Sequence, residues 1–131
     1  MSETTATRPT TIEGILKVTG EVMPDFKLLS QSDRKHYEAD WIWKQIVKAL
    51  NKLRDPDWVC DFLNKNQYKH YPWAWLKKDS SKPTGFAFSY TYCSFTSTYT
   101  NVGSRLRFAD DDDVIFALQN FEQEYIASVI Y

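Results

Sequence analysis

Aromatic residues alternate along one short segment of the chain. Phe86, Phe88, Tyr90 and Tyr92 occupy every second position. Because successive side chains of a β-strand point to opposite sides, this spacing predicts a strand with all four rings on one face. Such a face is either the floor of a hydrophobic core or an exposed platform on which bases or another protein stack. The two structures imply different functions, and the spacing alone leaves both open.

The length and composition of the chain bound its architecture. With 131 residues, of which 43% are hydrophobic and 16% aromatic, the chain is long enough to bury about two thirds of its unfolded surface in one core. We expect that core to be built largely from aromatic side chains. We expect residues 1–9 to form a flexible polar tail and residues 10–131 to form a single α+β domain.

Helical and strand periodicities follow one another along this domain. Caps and apolar spacing predict a short helix over residues 11–19 and a long helix that is capped by Ser32 or Asp33 and ends before Pro56. Three strands are predicted over residues 71–76, 85–96 and 104–108, and a final helix over residues 110–129. The order α-α-β-β-β-α predicts a two-layer sandwich. In it, a three-stranded antiparallel meander is covered on one face by two long helices and the short N-terminal helix.

The charge balance excludes a strong general attraction to polyanions. The chain has 16 basic and 17 acidic residues and a net charge of -1, so it has no overall field to attract nucleic acid or an anionic membrane. Its N-terminus lacks the apolar segment of a secretory signal, and no apolar run approaches the roughly 18 residues of a membrane span. We therefore expect a soluble protein that is not secreted and has no membrane partner.

Few residues offer catalytic or metal-binding chemistry. The chain has two cysteines, Cys60 and Cys93, and two histidines, His36 and His70. The cysteines are not a close pair, and the four residues do not have the spacing of metal ligands. We predict free thiols, no metal and no cofactor. The four consecutive aspartates at residues 110–113 suit a helix start, where carboxylates cap amides. A hydrolase or transferase that uses His70 or Cys60 is the weakest hypothesis, so a non-enzymatic function is predicted.

Several segments together resemble a known group of proteins. Tyr71-Pro72-Trp73 and Val102-Gly103-Ser104-Arg105-Leu106 carry most of the resemblance, and Gly85-Phe86-Ala87-Phe88 is a further matching segment. In their order and spacing, over residues 11 to about 128, the chain resembles a family of small proteins encoded by bacterial phages and integrated mobile elements. It departs from the family pattern at residues 51–55 and 110–113. The resemblance implies the cytoplasm of an infected bacterium or a virion as the setting, and it brings no catalytic residues.

A binding or assembly function is the favoured one of three hypotheses for this chain. Its partner is a virion or host protein, and self-association of the chain stays open. Exposed aromatic side chains are frequent anchors of protein interfaces. The candidates are Trp58, Trp73, Trp75 and Tyr99.

Binding of single-stranded nucleic acid is the alternative. It requires rings on which bases stack and cations that contact phosphate, and the third predicted strand would place two arginines on the sheet face opposite the helices. The candidates are Phe86, Phe88, Tyr90, Arg105, Arg107 and Lys77. Two amphipathic helices, however, need an apolar sheet face to cover. Core packing is therefore the favoured role of the alternating rings, and protein binding is the favoured function.

Overall fold

The computed structural model of the protein describes residues 7–98, 100 and 102–131. In that part of the chain, four α-helices and a 3-10 turn accompany a two-stranded antiparallel sheet. The elements are α1 (Ile12–Thr19), α2 (Gln31–Arg54), β1 (Lys69–Lys78), β2 (Phe86–Thr96), the 3-10 turn (Ser104–Leu106), α3 (Asp111–Asn120) and α4 (Glu122–Ile130). The α+β class is confirmed, whereas the three-stranded meander with the order α-α-β-β-β-α is wrong.

Local capping sets the ends of the first two helices. The Thr11 hydroxyl accepts a hydrogen bond from a first-turn amide at 3.1 Å, and Gly20 ends α1 with a φ of 73°. Glycine adopts that left-handed conformation without steric cost, so the predicted end of this helix is confirmed. Ser30 caps α2 by accepting from the Asp33 amide at 3.3 Å. The long helix therefore begins slightly before the predicted Ser32 or Asp33.

The third predicted strand is replaced by the 3-10 turn and one isolated bridge. Phe108 and His70 exchange two backbone hydrogen bonds, of 2.7 and 3.0 Å. Just beside them, the Asn51 side chain of α2 donates to the Arg107 carbonyl at 2.8 Å and accepts from the Ala109 amide at 2.8 Å. The backbone groups of Arg107 and Ala109 that point away from β1 are thus satisfied by α2, and pairing with β1 is limited to the one bridge.

The predicted final helix is divided at Phe121. This residue has φ of -133° and ψ of 42°, outside the helical region, and its side chain is buried. Directly after it, the Glu122 carboxylate accepts a hydrogen bond from the Phe88 amide at 3.1 Å. The change of direction lets one residue fill the core and the next contact the edge of β2.

A β-bulge in β2 overturns the prediction that four rings share one face. Trp75 of β1 lies opposite Tyr90, whereas its neighbour Leu76 lies opposite Phe88, so Ser89 is an extra residue without a partner. Directly opposed residues of an antiparallel pair share a face, and adjacent residues of a regular strand do not. Phe88 therefore points to one face of the sheet, and Tyr90 points to the other.

The core lies between the helices and the inner face of the sheet, which is the face that carries Phe88. The centroid of the Phe88 ring is 5.9 Å from that of Tyr125. Trp43 of α2 makes edge contacts with Tyr125 at 5.0 Å and with Phe108 at 6.1 Å. These rings join the buried aliphatic residues Ile15, Ile46, Val47, Leu50, Val114, Ala117 and Leu118. The core thus combines aromatic and aliphatic side chains.

Two cations are fully buried at one end of the sheet. Lys69 donates hydrogen bonds from its ammonium to the backbone carbonyls of Asn64, Gln67 and Ser97. Arg107 donates to the Lys69 carbonyl at 3.0 Å, and its guanidinium lies 4.6 Å from the Tyr71 ring centroid. Burial lowers the pKa of Arg107 from its ordinary value. The carbonyl acceptors compensate the two cations for the loss of water. Through these hydrogen bonds, both cations connect loops to the sheet.

None of the helices in the described part of the chain is both long enough and apolar enough to cross a membrane.

Candidate functional site

Four aromatic rings lie together on the outer face of the sheet. We call this set the aromatic face, and its members are Trp73, Trp75, Tyr90 and Tyr92. Centroid distances are 5.2 Å for Trp73 and Tyr92, 6.0 Å for Trp73 and Tyr90, and 6.4 Å from Trp75 to Trp73 and to Tyr90. The rings form one contiguous patch with interplanar angles between 31° and 56°.

Strand register brings these rings together. Trp73 lies opposite Tyr92, and Trp75 lies opposite Tyr90. Each pair is two residues from the other along its own strand, so all four side chains point the same way. The bulge at Ser89 leaves this part of the ladder intact because it falls beyond the Trp75 pair.

The aromatic face is open to solvent. Trp75 is 67% exposed, Tyr90 53% and Tyr92 49%. Trp73 is half-buried among the other rings, and its indole Nε1 donates to the Ser94 hydroxyl at 3.0 Å. That hydrogen bond fixes the central indole, which contacts the other three rings.

The charges on the two strands are all positive or neutral. β1 contains Lys69, His70, Lys77 and Lys78, and neither strand contains an Asp or Glu. Lys69 is buried, so the exposed cations are the two lysines at the hairpin end of β1. Hydrogen bonds from Ser81 lower the pKa of Asp79 in the adjacent turn. The turn therefore carries a carboxylate that partly offsets those lysines.

Some of the predicted site residues meet on this face. Trp73, Trp75 and Tyr90 are part of it, and Lys77 follows Trp75 on the same side of β1. Tyr92 completes the face but was not among the predicted site residues. One predicted strand has two Trp, and the next has two Tyr at the same two-residue spacing. This pattern was the signal that could have identified Tyr92.

Other predicted site residues lie elsewhere. Phe88 packs on Tyr125 in the core, and Phe86, two residues away on the same strand, pairs with Lys78 rather than joining the aromatic face. Trp58 lines a separate cavity beside α2. Tyr99 lies outside the described residues.

The two arginines do not form the predicted phosphate-binding pair. Arg107 is fully buried, and Arg105 is exposed on the 3-10 turn, where its charge acts on Glu21. The prediction that they share an exposed strand face is wrong because residues 104–106 form a turn, in which successive side chains do not alternate across a sheet.

The thiols of the protein are unpaired and shielded. Cys60 and Cys93 are free cysteines. Burial raises the pKa of both thiols, and that of Cys93 reaches about 11. Since the thiolate is the nucleophilic form, neither environment activates a cysteine for catalysis.

Two acidic residues at the start of α3, Asp110 and Asp113, have structural partners. Asp110 caps the helix by accepting from the Asp112 amide at 2.8 Å. Asp113 is buried and accepts two hydrogen bonds of 3.1 Å from Arg54, and Arg8 lies 3.2 Å away. The hydrogen bond to Asp113 raises the pKa of Arg54. This segment joins the N-terminal region, α2 and α3.

Comparison with known proteins adds no relative. No family model, curated protein or solved structure matches the chain. Function is therefore inferred from the aromatic face itself.

Proposed function

We propose that this protein is a non-enzymatic binding module whose aromatic face contacts a partner protein. The observation that carries the proposal is the contiguous patch of two Trp and two Tyr rings on the outer face of the sheet. Trp and Tyr are the residues most often found at the energetic centre of protein interfaces. Contiguous exposed apolar patches are uncommon on proteins that bind nothing there.

The arrangement of the rings favours a protein over a nucleic acid. Each ring of the patch is tilted against a neighbour at 5.2 to 6.4 Å, so the rings present a joint surface more than separate planes. Base stacking needs accessible ring planes with cations spaced along them. The exposed cations of the two strands, Lys77 and Lys78, lie at one end only.

We propose a virion protein or a protein of an infected bacterium as the partner. This part of the proposal is supported by the resemblance of the sequence segments to phage and mobile-element proteins. A module with four pre-positioned rings binds such a partner mainly by burying apolar surface. Its binding should therefore persist when the salt concentration is raised.

Single-stranded nucleic acid is the second candidate ligand. The observation in its favour is that the strands carry lysines and no carboxylate. Phosphate contacts make such binding weaken steeply with salt, by orders of magnitude between about 50 and 200 mM for several contacts. Salt dependence therefore separates the two candidates.

The test compares two variants at exposed apolar positions. Trp75→Ser removes an exposed ring of the aromatic face, and Leu28→Ser removes an apolar side chain elsewhere that is fully exposed, at 102%. Immobilised wild-type and variant proteins are mixed with lysate of the infected bacterium at low and high salt. The proposal predicts a partner that the wild type and Leu28→Ser retain at both salts and that Trp75→Ser loses. Equal retention by all three proteins would refute it.

A titration with a labelled single-stranded oligonucleotide completes the comparison. Binding that weakens steeply with salt and is lost in Trp75→Ser would replace the protein partner with nucleic acid. Circular dichroism of each variant shows whether its fold is intact.

A further inference from the structure

A groove of about 600 Å³ runs along one edge of the sheet. In the described part of the chain, β1 pairs with one side of β2, so the other side of β2 is an edge. The groove lies between residues 88–93 at this edge and the adjoining surface of α3 and the start of α4. We call it the edge groove. Exposed sheet edges pair readily with a further strand.

The strand register shows which backbone groups of β2 point outward at this edge. His70 of β1 exchanges its N–H and C=O with Phe108 and therefore directs both away from β2. Every second residue of β1 does the same, and in the register two of these residues lie opposite Thr91 and Cys93. Such opposed residues are not hydrogen-bonded to each other. The N–H and C=O groups of Thr91 and Cys93 therefore point away from β1.

The outward backbone groups of β2 are only partly used. The Phe88 amide donates to the Glu122 carboxylate at 3.1 Å, which occupies one end of the edge. Within the described part of the chain, no hydrogen bond joins the outward groups of Thr91 or Cys93 to another residue. Both residues line the edge groove, and Thr91 is exposed. A partner strand added to a sheet edge gains its affinity from main-chain groups of this kind.

The helical wall of the edge groove offers an apolar contact. Ile115 and Gln119 lie one turn apart on α3, line the groove and are both exposed. A strand added to β2 turns every second side chain toward the helices. Apolar side chains at these positions would cover Ile115, which is otherwise in contact with water.

The charges beside the edge groove are negative. Its lining contains Glu122 and, among the described residues, no Lys, Arg or His. Near the other end, burial raises the pKa of the Cys93 thiol, and the charges of Asp111 and Asp110 raise it further. Asp111 is exposed and forms no ion pair with a described residue. Carboxylates therefore lie near both ends of a stretch of β2 that is roughly 15 Å long.

We propose that the edge groove binds an extended basic peptide, which adds to β2 as a further strand. The main chain of the peptide pairs with Thr91 and Cys93, its apolar side chains contact Ile115, and a cation at each end faces Glu122 or Asp111. This site goes beyond the proposed function because it uses the edge of β2 and the helices. The two Trp rings of the aromatic face are on β1.

Fluorescence anisotropy with the labelled, end-capped peptide Lys-Thr-Val-Thr-Val-Thr-Lys tests the proposal. In an extended strand, its lysines and valines share one face. Saturable binding is expected, and a peptide with glutamate in place of both lysines should bind about tenfold more weakly. No change in anisotropy at millimolar protein, or equal binding of the two peptides, would overturn the proposal.

N-methylated peptides test the pairing of main chains. One peptide is methylated at the amides of its lysines and valines, and the other at the amides of its threonines. Only one of these sets faces β2, so one peptide should bind about tenfold more weakly and the other should bind as the unmodified peptide does. Equal effects in both peptides would contradict strand addition.

Variants of the protein locate the site. Thr91→Pro removes an outward N–H without disturbing the pairing with β1 and should lose the peptide, whereas Thr91→Val should retain it. Ile115→Ser should weaken binding. Val129→Ser is its matched control, since Ile115 is 45% and Val129 54% exposed and only Ile115 lines the groove. Trp75→Ser should bind normally, which separates this site from the aromatic face.

Two outcomes need separate interpretation. If Thr91→Pro does not fold, the N-methylated peptides decide with the wild-type protein alone. If no peptide binds and Thr91→Pro lowers the average mass in sedimentation velocity, the edge is covered by a second copy of the chain, and the proposal fails.

Discussion

Phe88 and Tyr90 have different surroundings although only Ser89 separates them. Phe88 packs on Tyr125 in the core, whereas Tyr90 is 53% exposed on the aromatic face. The contribution of a ring to stability depends on how much of it leaves water and on how well its site is filled. The two rings are therefore expected to differ in what they contribute to folding and to binding.

Alanine substitutions measure this difference. Phe88→Ala is expected to lower the free energy of unfolding by about 2 to 4 kcal/mol, because it leaves a cavity next to Tyr125. Tyr90→Ala is expected to lower it by less than about 1 kcal/mol, as exposed positions do. Urea denaturation of both variants gives the values. Equal losses would contradict the assignment of the two rings to opposite faces.

The Cys93 thiol is expected to react slowly in the folded protein. Burial raises its pKa from 9.0 to about 11, so at pH 8 the thiolate fraction falls by about a hundredfold. Alkylation by iodoacetamide, followed by mass spectrometry, should be slow in buffer and fast in urea. Comparable rates in both would show that the thiol is accessible.

The same thiol makes stability depend on pH in the alkaline range. Its pKa is higher in the folded than in the unfolded chain, so the protonated thiol stabilises the fold fully below pH 9.0. That contribution is lost as the pH rises from 9.0 to about 11. Cys93→Ala should flatten this part of the stability profile measured by denaturation.

At the scale of elements, local signals set the helix ends, and tertiary contacts set the sheet. Thr11 and Gly20 act through their own backbone neighbourhood, so sequence reasoning places α1 correctly. The bulge depends on which residues of β1 face Phe88 and Tyr90. The third predicted strand is reduced to a bridge to His70 and is tied to Asn51 on its other edge, and both residues are far away in sequence. An alternating pattern in the sequence does not show whether the strand contains an extra, unpaired residue. The sequence therefore identifies most rings of the aromatic face but not which face each one occupies.

Two single-residue deletions in β2 test the bulge. Deleting Ser89 removes the unpaired residue and leaves Tyr90 opposite Trp75 and Phe88 opposite Leu76, so we expect a folded protein. Deleting Thr91 instead turns Tyr90 toward the helices. Overpacking of that kind typically costs about 1 to 3 kcal/mol. Thermal denaturation should show the larger loss for the Thr91 deletion, and the reverse order would contradict the register.

At the scale of the whole molecule, a patch of exposed rings coexists with a net charge of -1. Charge repulsion between copies is weak near neutrality, and exposed apolar surface favours association. The helical layer carries most of the core, so the outer face of the sheet is available for contacts between molecules. The oligomeric state of the protein should therefore depend on its concentration.

Reversible self-association is expected when no partner is present. Sedimentation velocity should show an average mass that rises with concentration and does not fall when salt is added, since apolar contacts are not screened. Trp75→Ser combined with Tyr90→Ser should reduce the association, whereas Leu28→Ser should not. A wild type that stays monomeric at high concentration would contradict this expectation.

The bulge at Ser89 also divides β2 into two parts with separate tasks. Phe88 belongs to the interior, so a change there acts on folding. Tyr90 and Tyr92 belong to the exposed surface, so under the proposed function a change there acts on the choice of partner. One unpaired serine therefore lets the binding specificity of this strand be altered without altering the core.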